Sequence, residues 1–142
     1  MPERRVDDVL LNKAAIIERC LRRISEEYAG NPSHLESFTH QDAIVLNLER
    51  ACQAAIDLAM HIAARDHLGI PQSSAQAFDL LAEADRISPA LAAKMRRMVG
   101  FRNIAIHQYQ ELKLSIVRRV VESSSNDFVE FCAAFGLRLK ID

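Results

Sequence analysis

The 142-residue chain contains no tryptophan, four glycines and three cysteines, and it lacks any apolar run of the roughly 20 residues that span a bilayer. The cysteines, Cys20, Cys52 and Cys132, are odd in number, far apart and set among apolar helical neighbours. This pattern argues against a disulfide framework or a thiolate metal site, and it predicts small buried core residues. The chain also lacks a glycine-rich phosphate loop, a spaced aspartate pair for Mg²⁺ and a nucleophile-elbow sequence. We therefore expect no metal and no cofactor, and neither nucleotidyltransferase nor elbow-type hydrolase chemistry.

The charge balance is close to neutral. With 18 basic and 19 acidic residues, the formal net charge is -1, so the chain has no overall basic footprint for nucleic acid. Any contact with RNA must use a local patch. The first residues, MPERRVDDVL, have no signal-peptide hydrophobic segment, and the sequence predicts a cytoplasmic protein with no membrane partner. Its length and its 49% apolar content predict one domain over residues 1–142.

Apolar residues recur every three or four positions through nearly the whole chain, and no segment alternates as a strand does. The pattern predicts an all-α, up-and-down bundle of five helices. Their expected ranges are about 5–29, 40–68 and 73–86, a fourth that opens at Pro89, and a fifth over about 112–135. Thr39 with Asp42, Ser73 with Gln76, and Ser88 before Pro89 predict where the second, third and fourth helices begin.

The fourth predicted helix is unusual because its segment 98–106 is apolar nearly all round. Such a helix is normally buried on more than one side. In a small bundle, the second burying surface can come from another chain. The sequence therefore predicts a homodimer that forms through this motif helix.

Polar side chains lie within this segment and directly after it. Arg102 and His107 are five residues apart, which is about 140° around a helix, so one chain does not place them on a common face. A two-fold axis nearby would bring the arginine of one chain and the histidine of the other to one cleft. Asn103 precedes His107 by four residues and is expected to orient the imidazole through a hydrogen bond. Tyr109 would return to the face of Arg102 if the helix continued that far.

The residue types suit RNA cleavage without a metal. A histidine can take the proton of the ribose 2′-hydroxyl as that oxygen attacks phosphorus, and we assign this acid–base role to His107. A guanidinium can stabilise the extra charge on the phosphoryl oxygens, and we assign this role to Arg102. Arg96 and Arg97 precede the motif by one to two turns and are candidate contacts for RNA phosphates.

These residues also resemble a known family. Arg102, Asn103, His107 and Tyr109 match the signature of HEPN-domain ribonucleases. The segments LERACQAAIDLAMHIA, GIPQSSAQAFDLL and MVGFRNIAIHQY more narrowly resemble the HepT toxins of HepT/MntA toxin–antitoxin modules. The resemblance runs from about Leu46 to Val121.

The resemblance implies an all-α homodimer with a composite Arg/His cleft and metal-independent endoribonuclease activity, as the toxin of a type VII toxin–antitoxin system. It further implies a partner nucleotidyltransferase of the MntA type, which neutralises the toxin by attaching AMP to Tyr109. An alternative is a non-catalytic helical adaptor, or a nucleotide-binding partner of such a nucleotidyltransferase, because a net charge of -1 gives poor long-range steering of RNA. Tyr109 could also pack its ring or stack on a base.

Overall fold

The computed structural model describes residues 7–109 and 112–141. It contains five α-helices, which confirms the predicted all-α class. They are α1 (Asp8–Tyr28), α2 (Phe38–Arg65), α3 (Ser74–Glu83), α4 (Pro89–His107) and α5 (Leu114–Ala133), and a short 3₁₀ helix, Pro32–Glu36, precedes α2. The described segments contain no β-strand. None of their helices combines the length and the apolarity needed to cross a membrane.

Local capping chemistry explains where several helices begin. The Ser73 side chain accepts a hydrogen bond from the Gln76 backbone N–H at the start of α3, as predicted. At the start of α4, the Ser88 hydroxyl accepts from the Leu91 N–H at 3.1 Å, and Pro89 occupies the first helical position. Both sites satisfy backbone donors that would otherwise lack a partner inside the helix.

The predicted start of α2 at Thr39 is wrong. The helix begins at Phe38, with Ser37 in extended conformation as its cap, and no side chain accepts a capping hydrogen bond there. Thr39 instead lies within the first turn. The preceding 3₁₀ helix ends only two residues before α2 begins. Ser37 joins the two helices through backbone hydrogen bonds, since its N–H donates to the His34 carbonyl and its carbonyl accepts from the Gln41 N–H.

The longest helix, α2, forms the centre of the bundle and packs against α1, α3, α4 and α5. Its buried residues form one core with aromatic residues of α3 and α5, including Phe78, Phe128 and Phe131, which are almost wholly inaccessible to solvent. The rings of Phe78 and Phe131 meet edge to face, with centroids 5.4 Å apart. All three cysteines are buried and none is in a disulfide, as the sequence predicted.

The motif helix is only partly covered by its own chain. Met98, Val99, Phe101 and Ala105 are buried in the core, while Ile104 stays exposed. The helix ends at His107, because Gln108 leaves helical conformation with φ -139° and ψ 44°. Because α4 does not continue to Tyr109, this residue does not return to the helical face of Arg102.

Candidate active site at the end of α4

Arg102 is held by a chain of hydrogen bonds that crosses the bundle. Its Nη2 atom donates to Gln53 Oε1 of α2 at 2.5 Å. Gln53 in turn donates from Nε2 to Asp57 Oδ1 at 2.8 Å, and Lys13 of α1 donates to the other Asp57 oxygen at 3.1 Å. The amide of Gln53 is thus oriented by Asp57 so that its carbonyl faces the guanidinium. The arrangement fixes the arginine before any substrate binds.

This chain of hydrogen bonds makes Gln53 a positioning residue for Arg102, and it yields a prediction. We expect Gln53→Ala to lower kcat for RNA cleavage about tenfold, equivalent to about 1.4 kcal/mol, with little change in KM, because a mobile guanidinium stabilises the transition state less well. The control is Glu83→Ala, at an exposed position of α3. Equal kcat values for Gln53→Ala and wild type would show that Arg102 needs no support from α2.

Asn103 does not orient His107 as expected. Its Oδ1 atom accepts a hydrogen bond from Arg102 Nη1 at 3.1 Å instead. The described residues form no hydrogen bond to the His107 imidazole, which is exposed at the C-terminal end of α4. The asparagine therefore constrains the arginine, and the prediction of an Asn103–His107 hydrogen bond is wrong.

One chain keeps the two principal residues apart. The Arg102 side chain is half-buried against α2, with its Nε atom buried and without a hydrogen-bond partner in the described part of the chain. His107 lies about 140° further round α4 and is exposed, and no hydrogen bond joins the two side chains. A single protomer does not bring the imidazole to the Arg102 guanidinium.

Tyr109 follows the end of α4 and reaches back to the N-terminal part of α2. Its hydroxyl donates to Asp42 Oδ1 at 2.5 Å, and Gln41 Oε1 lies 3.3 Å away. Burial and the hydrogen bond to the Asp42 carboxylate raise the pKa of Tyr109 to about 12, and the charge of Glu49 adds to the effect. The phenol is therefore protonated at neutral pH.

An open groove of about 480 Å³ connects this tyrosine to the motif helix. Two carboxylates lie along it, on an otherwise mostly apolar surface. Burial raises the pKa of one of them, Glu49, while the charges of Arg102 and Arg50 oppose that shift. The lining residues are Asp42, Val45, Leu46, Glu49, Ala105, Ile106 and Tyr109.

Sequence reasoning missed the polar face of α2 that supports this site. Glu49 and Gln53 follow Asp42 by seven and eleven residues, so all three lie on one side of the helix. This spacing could have revealed a polar stripe on a helix that is otherwise mostly buried. The partners of that stripe could not be read from it, since Arg102 lies on α4 and Tyr109 follows the end of that helix.

The two candidate phosphate contacts before the motif lie elsewhere. Arg96 is exposed and forms an ion pair with Asp79 of α3. Arg97 lines a separate groove between α4 and α5, together with Lys94 and Arg119. Neither side chain extends the surface next to the Arg102 guanidinium.

No cluster of three or more His, Cys, Asp or Glu suited to a metal ion occurs among residues 7–109 and 112–141.

Comparison of the chain with known proteins identifies its family. The family model described as ribonuclease HepT-like matches residues 12–135. The chain is 46% identical over 126 residues to the mRNA nuclease HepT of Shewanella oneidensis, and the match covers 89% of this chain and 95% of that protein.

Solved structures agree with the sequence comparison. The chain is similar to a tri-AMPylated Shewanella oneidensis HEPN toxin in complex with its MNT antitoxin, with a TM-score of 0.87 and 45% identity over 92% of this chain and 98% of the other. It is similar also to a toxin–antitoxin structure with AMP-PNP, with a TM-score of 0.88 and 44% identity over the same shares of the two chains. The chain therefore belongs to the HepT-like family of ribonucleases, and it is a ribonuclease.

Proposed function

We propose that this protein is the toxin of a type VII toxin–antitoxin system, a metal-independent endoribonuclease whose active site combines Arg102 of one protomer with His107 of another. The observation that carries the proposal is the separation of the two side chains within one chain. Arg102 is fixed against α2, whereas His107 is exposed on another side of α4. The substrate is RNA, as the name of the mRNA nuclease relative suggests.

The proposed chemistry assigns one role to each residue. His107 takes the proton of a ribose 2′-hydroxyl as that oxygen attacks the adjacent phosphorus, and an imidazole can return a proton to the leaving 5′-oxygen. Arg102 donates hydrogen bonds to the phosphoryl oxygens as their charge grows. Asn103 and Gln53 hold the guanidinium in place. Arg96 and Arg97 contact phosphates of the RNA backbone outside the cleft. To do so, Arg96 must break its ion pair with Asp79.

Exposed apolar residues around the site support a homodimer. Ile104 and Ile106 of α4 are 40% and 44% exposed, and Leu46 of α2 is 43% exposed. Gly100 lies in the middle of the same helix, where a Cβ atom would meet no other atom within 4 Å. A glycine in a helix interior lowers the stability of the helix by about 1 kcal/mol relative to alanine, and no contact with residues 7–109 or 112–141 requires a glycine at this position. A second chain that packs closely on α4 would account for it.

Gly100 therefore allows a test of the dimer. We expect wild type to have twice the 16.0 kDa mass of one chain in light scattering at micromolar concentration, and Gly100→Leu to shift the population toward monomer by at least tenfold in Kd. The monomer fold should survive, because the added side chain meets open space within the protomer. Glu83→Leu adds the same side chain at an exposed position of α3 and serves as control.

The outcomes separate two parts of the proposal. A wild-type mass of a single chain would contradict the homodimer. A stable Gly100→Leu dimer would place the interface away from this face of α4.

The partner in this proposal is a nucleotidyltransferase of the MntA type, which attaches AMP to Tyr109 and so blocks RNA access. The support comes from the AMPylated HEPN toxin in complex with MNT antitoxin, and from the position of Tyr109 at the rim of the groove beside the motif helix. Induced expression in a bacterial host tests the function as a whole. We expect growth arrest that the co-expressed nucleotidyltransferase relieves, and normal growth on expression of this protein alone would contradict the role as a toxin.

A further inference from the structure

The short hydrogen bond from Tyr109 to Asp42 joins two groups that are distant in sequence. Asp42 lies in the second turn of α2, and its Oδ1 atom accepts from the Tyr109 hydroxyl at 2.5 Å. The tyrosine side of this contact is reachable, because Tyr109 is 38% exposed and lines an open groove. A second protein can therefore approach the Tyr109 hydroxyl through the groove while that hydroxyl is hydrogen-bonded to Asp42.

A phenol that attacks phosphorus must lose its proton. The pKa of Tyr109 is raised to about 12, so only about one molecule in 10⁵ carries a phenolate at pH 7. A reaction through preformed phenolate would accordingly be slow. A base within hydrogen-bonding distance of the hydroxyl avoids this limit, because the proton leaves as the new bond forms.

We propose that Asp42 is the proton acceptor for adenylylation of Tyr109, so that this chain supplies the general base for its own modification. The inference rests on the proposed function of Tyr109 as the AMP acceptor. The Tyr109 oxygen forms a bond to the α-phosphorus of ATP, and the bond from that phosphorus to the bridging oxygen of the leaving group breaks. Pyrophosphate departs with that electron pair, and the hydroxyl proton passes to Asp42 Oδ1.

The neighbouring polar groups do not fit this role. Gln41 Oε1 lies 3.3 Å from the hydroxyl, but an amide carbonyl does not accept a proton at neutral pH. The Gln41 amide nitrogen donates to the Leu35 carbonyl at 3.2 Å, which directs its oxygen toward Tyr109 as a second acceptor. Glu49 lines the same groove yet makes no hydrogen bond to the tyrosine in the described structure. Asp42 is therefore the carboxylate that is placed to accept the proton of the Tyr109 hydroxyl.

The test uses Asp42→Asn in the full-length protein, with a cognate MntA-type nucleotidyltransferase, ATP and Mg²⁺. The asparagine keeps the shape and a hydrogen-bond acceptor but removes the base. We expect the initial rate of AMP addition, followed by intact mass spectrometry, to fall about 10²-fold or more at pH 7. Glu83→Gln, which removes an exposed carboxylate from α3, should match wild type.

A pH series gives a result that a purely structural role would not. In wild type the Asp42 carboxylate accepts the proton, whereas in Asp42→Asn the phenol must first lose its proton to solvent. The ratio of wild-type to variant rate should therefore fall about tenfold for each pH unit between about pH 7 and 9. Dividing by the wild-type rate at each pH removes the pH dependence of the nucleotidyltransferase itself. Asp42→Glu, which restores a carboxylate, should recover part of the rate.

The outcomes distinguish this inference from the proposed function. Wild type that gains no AMP under these conditions would contradict the proposed function. Wild type modified at Tyr109, with Asp42→Asn modified equally fast or faster, would overturn the role of Asp42 alone. A slower variant with a constant rate ratio across pH would also overturn it, since such a residue merely holds the ring. Matched thermal unfolding of both Asp42 variants and wild type confirms that the fold is intact.

Discussion

Replacing His107 with alanine should abolish RNA cleavage, and so should replacing Arg102. Loss of general acid–base help typically lowers a rate by about 10²- to 10⁴-fold, and loss of a fixed charge at the phosphate lowers it by about 10²- to 10³-fold. The His107 substitution should not unfold the chain, because that side chain is exposed. Arg102→Ala removes a half-buried contact with Gln53, so its thermal unfolding must be compared with wild type.

Cleavage of a labelled RNA in the presence of EDTA measures both variants under conditions that exclude contaminating metal-dependent nucleases. Wild type should remain active with EDTA, because both assigned roles belong to side chains. Wild-type rates in either folded variant would show that the catalytic assignment is wrong. Loss of wild-type cleavage in EDTA would contradict the metal-independent mechanism.

A mixture of the two inactive variants tests the composite site directly. In a heterodimer, the Arg102→Ala chain contributes an intact His107 and the His107→Ala chain contributes an intact Arg102. Random exchange of subunits makes about half of the dimers mixed, and these should cleave RNA well above the level of either variant alone. If each protomer carried a complete site, no mixed dimer would contain one, and mixing would restore nothing.

The sequence predicted the helices well because their signals are local. Ser73 and Ser88 cap α3 and α4 through atoms only three residues away, and the 3.6-residue period of apolar positions is visible without a partner. The start of α2 was misjudged because Ser37 acts without a side-chain hydrogen bond and the 3₁₀ helix supplies the entry. The end of α4 was also not apparent, since no proline or glycine directly follows His107.

The sequence indicates some residues of the candidate site and not others. Arg102, His107 and Tyr109 stand out as polar residues in an apolar segment, so the sequence alone identified them as candidates. Their partners are far away in the chain: Gln53 precedes Arg102 by 49 residues, and Asp42 precedes Tyr109 by 67. Which face of α2 packs against α4 depends on the tertiary arrangement of the whole bundle, and a single sequence does not fix it.

The polar face of α2 contacts both the proposed catalytic arginine and the proposed site of AMP addition. Gln53 holds the guanidinium of Arg102, and Asp42, three turns earlier, holds the hydroxyl of Tyr109. Glu49 lies between them on the same face and lines the groove that reaches Tyr109. An AMP group on Tyr109 would therefore begin next to the surface that holds Arg102, the arginine proposed to act in catalysis. A negatively charged phosphodiester there would repel the RNA backbone, and the nucleoside would occupy space along the groove.

Tyr109→Phe should free the ribonuclease from this control. The ring and its packing remain, and the variant loses a hydroxyl whose partner Asp42 is itself exposed, so we expect a cost of about 1 kcal/mol or less in the free energy of unfolding. RNA cleavage should persist at least in part, because the proposed proton transfer by His107 and the proposed phosphate binding by Arg102 do not use the phenol. A host that expresses this variant should arrest its growth even when the nucleotidyltransferase is present.

Intact mass spectrometry supplies the direct measurement for the same variant. After incubation with a cognate MntA-type nucleotidyltransferase and ATP, wild type should gain the mass of one or more AMP groups and Tyr109→Phe none. Additions of equal size on both proteins would refute Tyr109 as the acceptor. A Phe variant that stays unmodified but no longer cleaves RNA would instead make the hydroxyl part of the catalytic site. In that case AMP would act by removing a functional group, and occlusion of the cleft would not be needed to explain neutralisation.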